Sequence, residues 1–509
     1  MDPKGQANDI SIQHIQHYLE ICHNATLTSY SKDGFIGGRE ILKREATHIE
    51  DVLSTCTTGN EEVSQILMTS DLFQSSCRFF FNTAINGIIS EEILIKFVLT
   101  CSELAKEHGK IRQKIDFDCI LVDHEGRKSW LSDGYFEKME KVIDEYDRSE
   151  FPDDEPLLKA HFKYQLGRYY FKKSKDKNEQ PNRQREYFEK AANNIEESRD
   201  LRKQNMEREN SSLLTKVDVI LSLIMLGYLR KYQSTQRHEV ERFNELIAMA
   251  KDCYEEATAL VDEFLGKHPL KVDCHKALGD LLLEMKQNEA ARKNYEIALN
   301  VFEELELTPN KIKGYLLNNY ATSLMNLQKY ERGDEMFQRA KDYYKKAIAL
   351  VDEFLGKHPL KVECHKVLGD LLLQMNQIEA ARKNYEIALN VFEELELTPN
   401  KGNVYLLKNY ATSLMKLQKY ERGEEMFQRA KDYYKKAIAL VDEFLGKHPL
   451  KVECHKVLGD LLLQMNQIEA ARKNYEIALN VFEELELTPN KRKVYYSKLC
   501  HIFDEVAEI

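Results

Sequence analysis

The sequence predicts an all-α solenoid of stacked helical hairpins, and three observations carry that prediction. The run VDEFLGKHPLKV begins at Val261, Val351 and Val441, a period of 90 residues. A unit that recurs at fixed spacing cannot bury its apolar face alone, so it must stack on its neighbours. Residues 335–401 also reappear unchanged as residues 425–491. Finally, 21 glycines and 10 prolines in 509 residues leave long uninterrupted stretches that suit helix and little else.

Each period holds two hairpins. In residues 364–395, Leu368, Gly369 and Leu372 pack one helix, and Ala381, Tyr385 and Ala388 recur at helical spacing on the next. In residues 405–438, Ala411 and Leu414, then Gly423, Phe427 and Ala430, take the same places. This pattern resembles the tetratricopeptide repeat, which sets Leu with Gly or Ala in its first helix (helix A) against Ala, aromatic, Ala in its second (helix B). The resemblance covers at least residues 270–490; His365 stands at the usual Trp position and the closing Pro is absent. It implies a right-handed α-solenoid. Anchors at Gly279, Ala321, Gly369, Ala411 and Gly459 are spaced alternately by 42 and 48 residues, against about 34 in the family. The shorter step, with Asn318 and Asn319, then Lys408 and Asn409, ahead of the anchors, is similar to kinesin light chains and nephrocystin-like arms. The longer step lengthens helix B. From Glu331 to Leu355 only Gly333 interrupts, so roughly 37 Å of helix fits at 1.5 Å per residue. Gly356 and Pro359 then close that helix and open the next.

In chain order, residues 1–12 read as a disordered tail and residues 13–150 as a helical N-terminal region. Residues 14–56 suggest a helix, a Gly-rich turn at Gly34 to Gly38 and a second, amphipathic helix. This stretch resembles the linker that follows the NTPase of NB-ARC receptors with tetratricopeptide arms, which implies a sensor arm without its motor. Residues 61–112 hold two or three further helices, rich in Phe79, Phe80 and Phe81, that form a small cap. Residues 115–134, with Trp130, fit either a short strand or a helical packing anchor, and the helical surroundings favour the anchor. Residues 151–265 carry degenerate hairpins. Leu166, Gly167 and Tyr170 match helix A, the polar stretch 172–185 reads as an exposed, mobile loop, and Phe188 and Ala191 resume helix B. Leu226 and Gly227 anchor the next hairpin. The regular array occupies residues 266–490, and anchors from Gly167 to Gly459 give seven hairpins. An eighth begins at Lys491, where His501 and Asp504 replace Ala411 and Leu414. A solenoid needs a wettable last face, so residues 491–509 read as a capping helix.

Composition narrows the function. Clustered Lys and Arg supply most of the affinity for phosphates, so a net charge of −11 argues against a nucleic-acid footprint. The ten cysteines form no CxxC pair and the N-terminus is polar, without the apolar core of a signal peptide. With Asn24-Ala25-Thr26 the one sequon noted near the start, this predicts a reducing, cytoplasmic setting. The longest apolar run, Val217 to Leu229, falls short of the ~20 residues a membrane helix needs.

The motifs that suggest chemistry resolve into packing. The repeated Gly356-Lys357 is no phosphate loop, because Val351 and His358 hold the places of the required Gly and Ser/Thr. Cys364-His365, repeated as Cys274-His275 and Cys454-His455, offers metal-ligand types, but adjacent helix residues point about 100° apart and zinc wants four convergent ligands. His358, before Pro359 at each corner, is expected to cap the last carbonyls of the preceding helix. Acidic runs such as residues 393–397 repeat with the array as solvated faces. No catalytic residue, cofactor or metal is expected, and the chain reads as a non-enzyme.

What remains is the groove. In the family it resembles, ligands lie along helix A, which corresponds to Lys276 and Asp280, Asn319 and Thr322, Lys366 and Asp370, Asn409 and Thr412, and Lys456 and Asp460. Asparagine can bond a peptide backbone through one donor and one acceptor group, and alternating Lys and Asp suit a partner of mixed charge. An ordinary exposed helix face explains the same residues equally well. The clamp that binds an acidic chaperone tail is not matched, since Asp280, Asp370 and Asp460 sit where it needs Asn. The expected function is a non-catalytic scaffold binding a protein or peptide, with RNA binding by a helical superhelix as the alternative.

Overall fold

The computed structural model describes residues 11–485 apart from 70, 85–86, 129–132, 149–155, 177, 209–211, 236–241, 328–333, 398, 418–422 and 447. Among the described residues every regular element is helical. The chain divides into two compact units, 1–287 with 296–307 and 288–295 with 308–509.

The first unit opens with α1 (Ile12–Ser29), α2 (Phe35–Thr55), α3 (Glu61–Thr69), α4 (Asp71–Ala84), α5 (Glu91–Glu107), α6 (Ile111–Lys128) and α7 (Asp133–Arg148). Ser11 starts α1 as an N-cap, its hydroxyl accepting from the His14 amide. Ile15, Leu19, Leu42, Leu53, Phe80 and Phe97 are buried together in one core. Hairpins follow in α8 (Pro156–Lys173) with α9 (Pro181–Met206) and α10 (Leu213–Ser234) with α11 (Phe243–Phe264), then α12 (Pro269–Glu284). Charges lie buried where α4, α6, α8, α9 and α10 meet. Arg78 donates to Asp218 at 2.5 Å, the fully buried Arg202 donates to Ser222 Oγ at 2.6 Å and the Asp218 carbonyl at 3.2 Å, and His161 pairs with Asp116 at 2.6 Å.

Helix α13 (Asn288–Glu304) divides between the units. The second unit continues with α14 (Lys311–Leu327), α15 (Asp334–Leu350), α16 (Pro359–Gln374), α17 (Ile378–Glu394), α18 (Lys401–Leu417), α19 (Gly423–Leu440), α20 (Pro449–Gln464) and α21 (Ile468–Glu484). Each helix A packs on the helix B that follows it, and each B on the next A. A glycine and a tyrosine set that approach: a Cβ added at Gly369 would lie 2.6 Å from the Tyr385 ring, and one at Gly459 equally close to Tyr475. Ala381 and Ala388 flank Tyr385 on the same face, and all three are fully buried.

Several expectations change in the structure. The Gly-rich turn at Gly34 to Gly38 lies earlier, because α2 already begins at Phe35; Gly38 is small because a Cβ there would meet Ser29 Oγ at 2.0 Å on α1. The stretch 172–185 is not one exposed loop. Helix α8 runs to Lys173 and α9 starts at Pro181, while Lys172 is buried against the Tyr135 ring. Its aliphatic stem packs while its ammonium meets a π face, which is how a polar sequence supplies core. Residues 115–128 are helical within α6, whereas Trp130, the tail 1–10 and the cap 491–509 lie outside the described residues. Helix B of the 48-residue steps ends in a π-helical turn, Val351–Leu355 and again Val441–Leu445.

Candidate protein-interaction face

The corner histidines act on the opposite helix end from the one the sequence suggested. His268, His358 and His448 each accept, through Nδ1, from the amide two residues ahead at 3.1 Å, so they cap the N-terminus of the following helix A. Pro at the next position needs no amide partner, and the extended backbone of the cap turns the chain. The Cys-His pairs are packing groups. Cys364 and Cys454 are fully buried, burial pushes both thiols up to about 12, and His365 and His455 bond Asn384 and Asn474 at 2.9 and 3.0 Å. Among the described residues no cluster of His, Cys, Asp and Glu is arranged to hold a metal ion.

The polar residues on helix A follow a rule. In the second unit the residue after each small anchor faces the hydroxyl of a tyrosine buried on helix B. Asp370 accepts from Tyr385 Oη at 2.7 Å and Asp460 from Tyr475 Oη at 2.7 Å. Thr322 and Thr412 bond Tyr344 and Tyr434 at 2.9 Å, and their hydroxyls also lie 3.0 and 2.9 Å from the Asn318 and Lys408 carbonyls. A buried phenol needs such a partner, because leaving it unpaired costs about 1–3 kcal/mol. Burial raises the pKa of Asp370 while the bonds from Tyr385 and Asn409 oppose the rise.

The two asparagines are less exposed than expected. Both Asn319 and Asn409 are half-buried. Asn319 accepts from Asn318 Nδ2 at 3.2 Å, and Asn409 Nδ2 donates to Asp370 at 2.7 Å, tying α18 to α16. Lysines complete the face. Lys366 pairs with Glu363 at 2.8 Å, Lys456 lies 3.7 Å from Asp460, and Lys408 crosses from α18 to Glu453 on α20 at 2.7 Å. In the first unit, Lys276 pairs with Asp280 at 2.7 Å. Within the second unit the structure thus brings Lys366, Asp370 and Asn409 together across adjacent helices A. It adds Glu363 and Glu453, six residues ahead of their anchors, and Lys408, which stands before Ala411 as Lys366 stands before Gly369.

Residues 314–394 match the tetratricopeptide repeat family, so this stretch, from α14 through α17, is a tetratricopeptide-repeat segment. No curated protein matches the chain. Among solved structures, the chain is similar to the apo quorum sensor NprR from B. thuringiensis, at 14% identity over 80% of this chain and 98% of that one, with a TM-score of 0.46. It is similar also to BtubC from P. vanneervenii, at 18% identity over 52% and 94% with a TM-score of 0.37. A third similarity is to a putative kinesin light chain from Podosopora anserina with nearly identical tetratricopeptide-like repeats, at 13% over 43% and 99% with a TM-score of 0.35.

Proposed function

We propose that this chain is a non-catalytic protein-interaction scaffold that binds a peptide or partner domain along the helix A face of its second unit. The observation that carries the proposal is the duplicated face itself. Helices α16 and α20 have one sequence, so Glu363, Lys366 and Asp370 recur as Glu453, Lys456 and Asp460. A surface that repeats its charges at fixed spacing suits an extended ligand that repeats contacts along its length. On this reading the ten helix A residues divide their work. Asp370, Asn409, Thr322 and Thr412 hold the helices in register, with Asn319 beside them, while Lys366, Lys456 and Asp460 meet the ligand; Lys276 and Asp280 offer a similar pair on the first unit. Acids and bases alternate, so the ligand carries mixed charge.

The nine described cysteines are free thiols, which fits work in a reducing, cytoplasmic compartment. No helix among the described residues is long and apolar enough to cross a membrane. In its finer form the proposal makes the chain a sensor arm of the NB-ARC type, which rests on the resemblance of residues 14–56. The RNA alternative gains no support from a face whose lysines are paired with carboxylates.

The test is to pan a display library of random peptides against the full chain, with a Lys366→Ala/Lys456→Ala variant in parallel. Enriched peptides should share a charge pattern and bind the variant about tenfold more weakly, the loss expected for one or two charge-assisted contacts. Equal binding to both chains would remove the helix A face from the proposal.

A further inference from the structure

In the first unit, the turn that follows α8 sets one lysine in a box of aromatic rings. Lys175 donates its amide to the Lys172 carbonyl at 3.0 Å as the helix ends. Its ammonium lies 4.0 Å from the centroid of the Phe171 ring, 4.7 Å from that of Tyr232 and 5.3 Å from that of Tyr228. All three distances fall inside the roughly 6 Å at which a ring's quadrupole attracts a cation. The ammonium also donates to Tyr228 Oη at 3.5 Å.

The box is held by the core behind it. Phe171 belongs to α8, and Tyr228 and Tyr232 lie four residues apart on α10, so their rings project from one face of that helix. Phe171 stands edge-on to both, 5.6 Å and 88° from Tyr228 and 5.3 Å and 85° from Tyr232. Rings at right angles offer a cation attractive surfaces from different directions. Phe188 of α9 backs Tyr232 at 5.8 Å, and Phe171 and Phe188 are buried with Leu226 and Leu229 in one core. The box nevertheless reaches the surface, because Tyr228 is 40% exposed. Tyr228 follows the small anchor Gly227 as Asp370 follows Gly369, so an aromatic ring stands where the second unit carries a polar partner.

A plain ammonium is a costly occupant for such a place. It is a compact, strongly hydrated charge, and burial pushes the Lys175 amine down to about 8. Methylation keeps the charge, removes N–H groups that water would otherwise solvate, and fills the space between the rings with methyl surface, which is why aromatic boxes suit alkylated ammonium groups. Lys175 lies beyond Lys173, the last residue of α8, and its side chain can leave the rings with every backbone bond kept.

We propose that the box formed by Phe171, Tyr228 and Tyr232 is a binding site for a methylated lysine side chain on a partner protein, and that Lys175 occupies it as an internal competitor. The class of occupant is read from the group that fills the box, a lysine side chain entering with its ammonium foremost. Because the competitor is tethered, the box yields only to a cation that the rings hold better than a plain ammonium, and this makes it selective for the methylated form. The box lies in the first unit and the duplicated charged face in the second, so either can fail without the other.

The test uses the full chain and a capped tripeptide with lysine at its centre, unmodified and trimethylated, followed by proton NMR. The trimethyl signal should move upfield and saturate, since protons over ring faces are shielded, and the trimethylated peptide should bind about tenfold more tightly than the unmodified one. Lys175→Gln should tighten binding about tenfold by removing the competitor, and Tyr232→Leu should weaken it about tenfold by removing one ring. Tyr228→Leu, at the exposed wall, gives a second reading of ring loss should Tyr232→Leu fail to fold. The Lys366→Ala/Lys456→Ala chain should bind as the parent does. No saturable binding by either the parent or Lys175→Gln, equal binding of the two peptides, no gain from Lys175→Gln, or no loss from a folded ring variant would overturn the proposal. Tighter binding of free choline than of the trimethylated peptide would overturn it as well, in favour of a small ammonium compound.

Discussion

The two units reach order by different routes. In the second unit a contact made once is made again 90 residues later with the same geometry. Tyr385 to Asp370 and Tyr475 to Asp460 are both 2.7 Å, Thr322 to Tyr344 and Thr412 to Tyr434 both 2.9 Å, and the Tyr320–Tyr343 and Tyr410–Tyr433 ring pairs stand 4.7 and 4.8 Å apart. Every such partner lies on the same hairpin. In the first unit the decisive contacts are unique and distant in sequence, as in Arg78 with Asp218 and His161 with Asp116. Local, repeated contacts make stability a sum over neighbours, whereas a buried charge cluster shared by five helices makes them depend on one another.

The largest effect should come from breaking that cluster. Asp218→Ala leaves Arg202, whose side chain is 2% exposed, and Arg78, at 20%, without their carboxylate. Removing one partner of such a buried pair costs about 3–5 kcal/mol. Hydrogen exchange should show protection lost throughout α4, α8, α9 and α10 while α16 to α21 keep theirs. Uniform loss along the chain would show that the two routes to order are not distinct.

A smaller effect separates copies within the second unit. Among the described residues Asp370 serves two donors, Tyr385 and Asn409, whereas Asp460 serves Tyr475 and stands beside a lysine at 3.7 Å. The sequence explains the difference, for the position of Asn409 is Leu499 in the next period. Asp370→Ala should therefore lower stability by about 1–3 kcal/mol and Asp460→Ala by about half as much. Urea midpoints in the reverse order would contradict this account of the polar ladder.

These differences also mark how far the sequence could be read. Period, hairpins and anchors were legible because packing Gly369 against Tyr385 is a local matter that spacing alone reveals. The polar residues beside the anchors were legible as positions but not as roles. A half-buried Asn409 and an exposed one have the same neighbours in sequence, and only the fold places Asp370 at 2.7 Å from it. The helix end that His358 caps is not legible, because a residue between two helices is adjacent to both and the choice depends on which way Nδ1 points. Lys172 reads as solvent-exposed in the sequence because its aromatic cover, Tyr135, comes from a helix 37 positions earlier. The charge cluster of the first unit had no sequence signal, since each member is an ordinary surface residue type.

We infer that the 90-residue copies are interchangeable structural units, and the deletion of one puts that to the test. Removing residues 335–424 joins Asp334 to Glu425 in register, since the residues that follow are identical in both copies. Each contact that remains, such as Thr322 with the tyrosine at the old position 434, already exists in the parent. The shortened chain should fold cooperatively and unfold within roughly 4 °C of the parent, the shift that about 1 kcal/mol produces in a domain of this size. An insoluble or molten product, measured by calorimetry and near-UV circular dichroism, would contradict the claim.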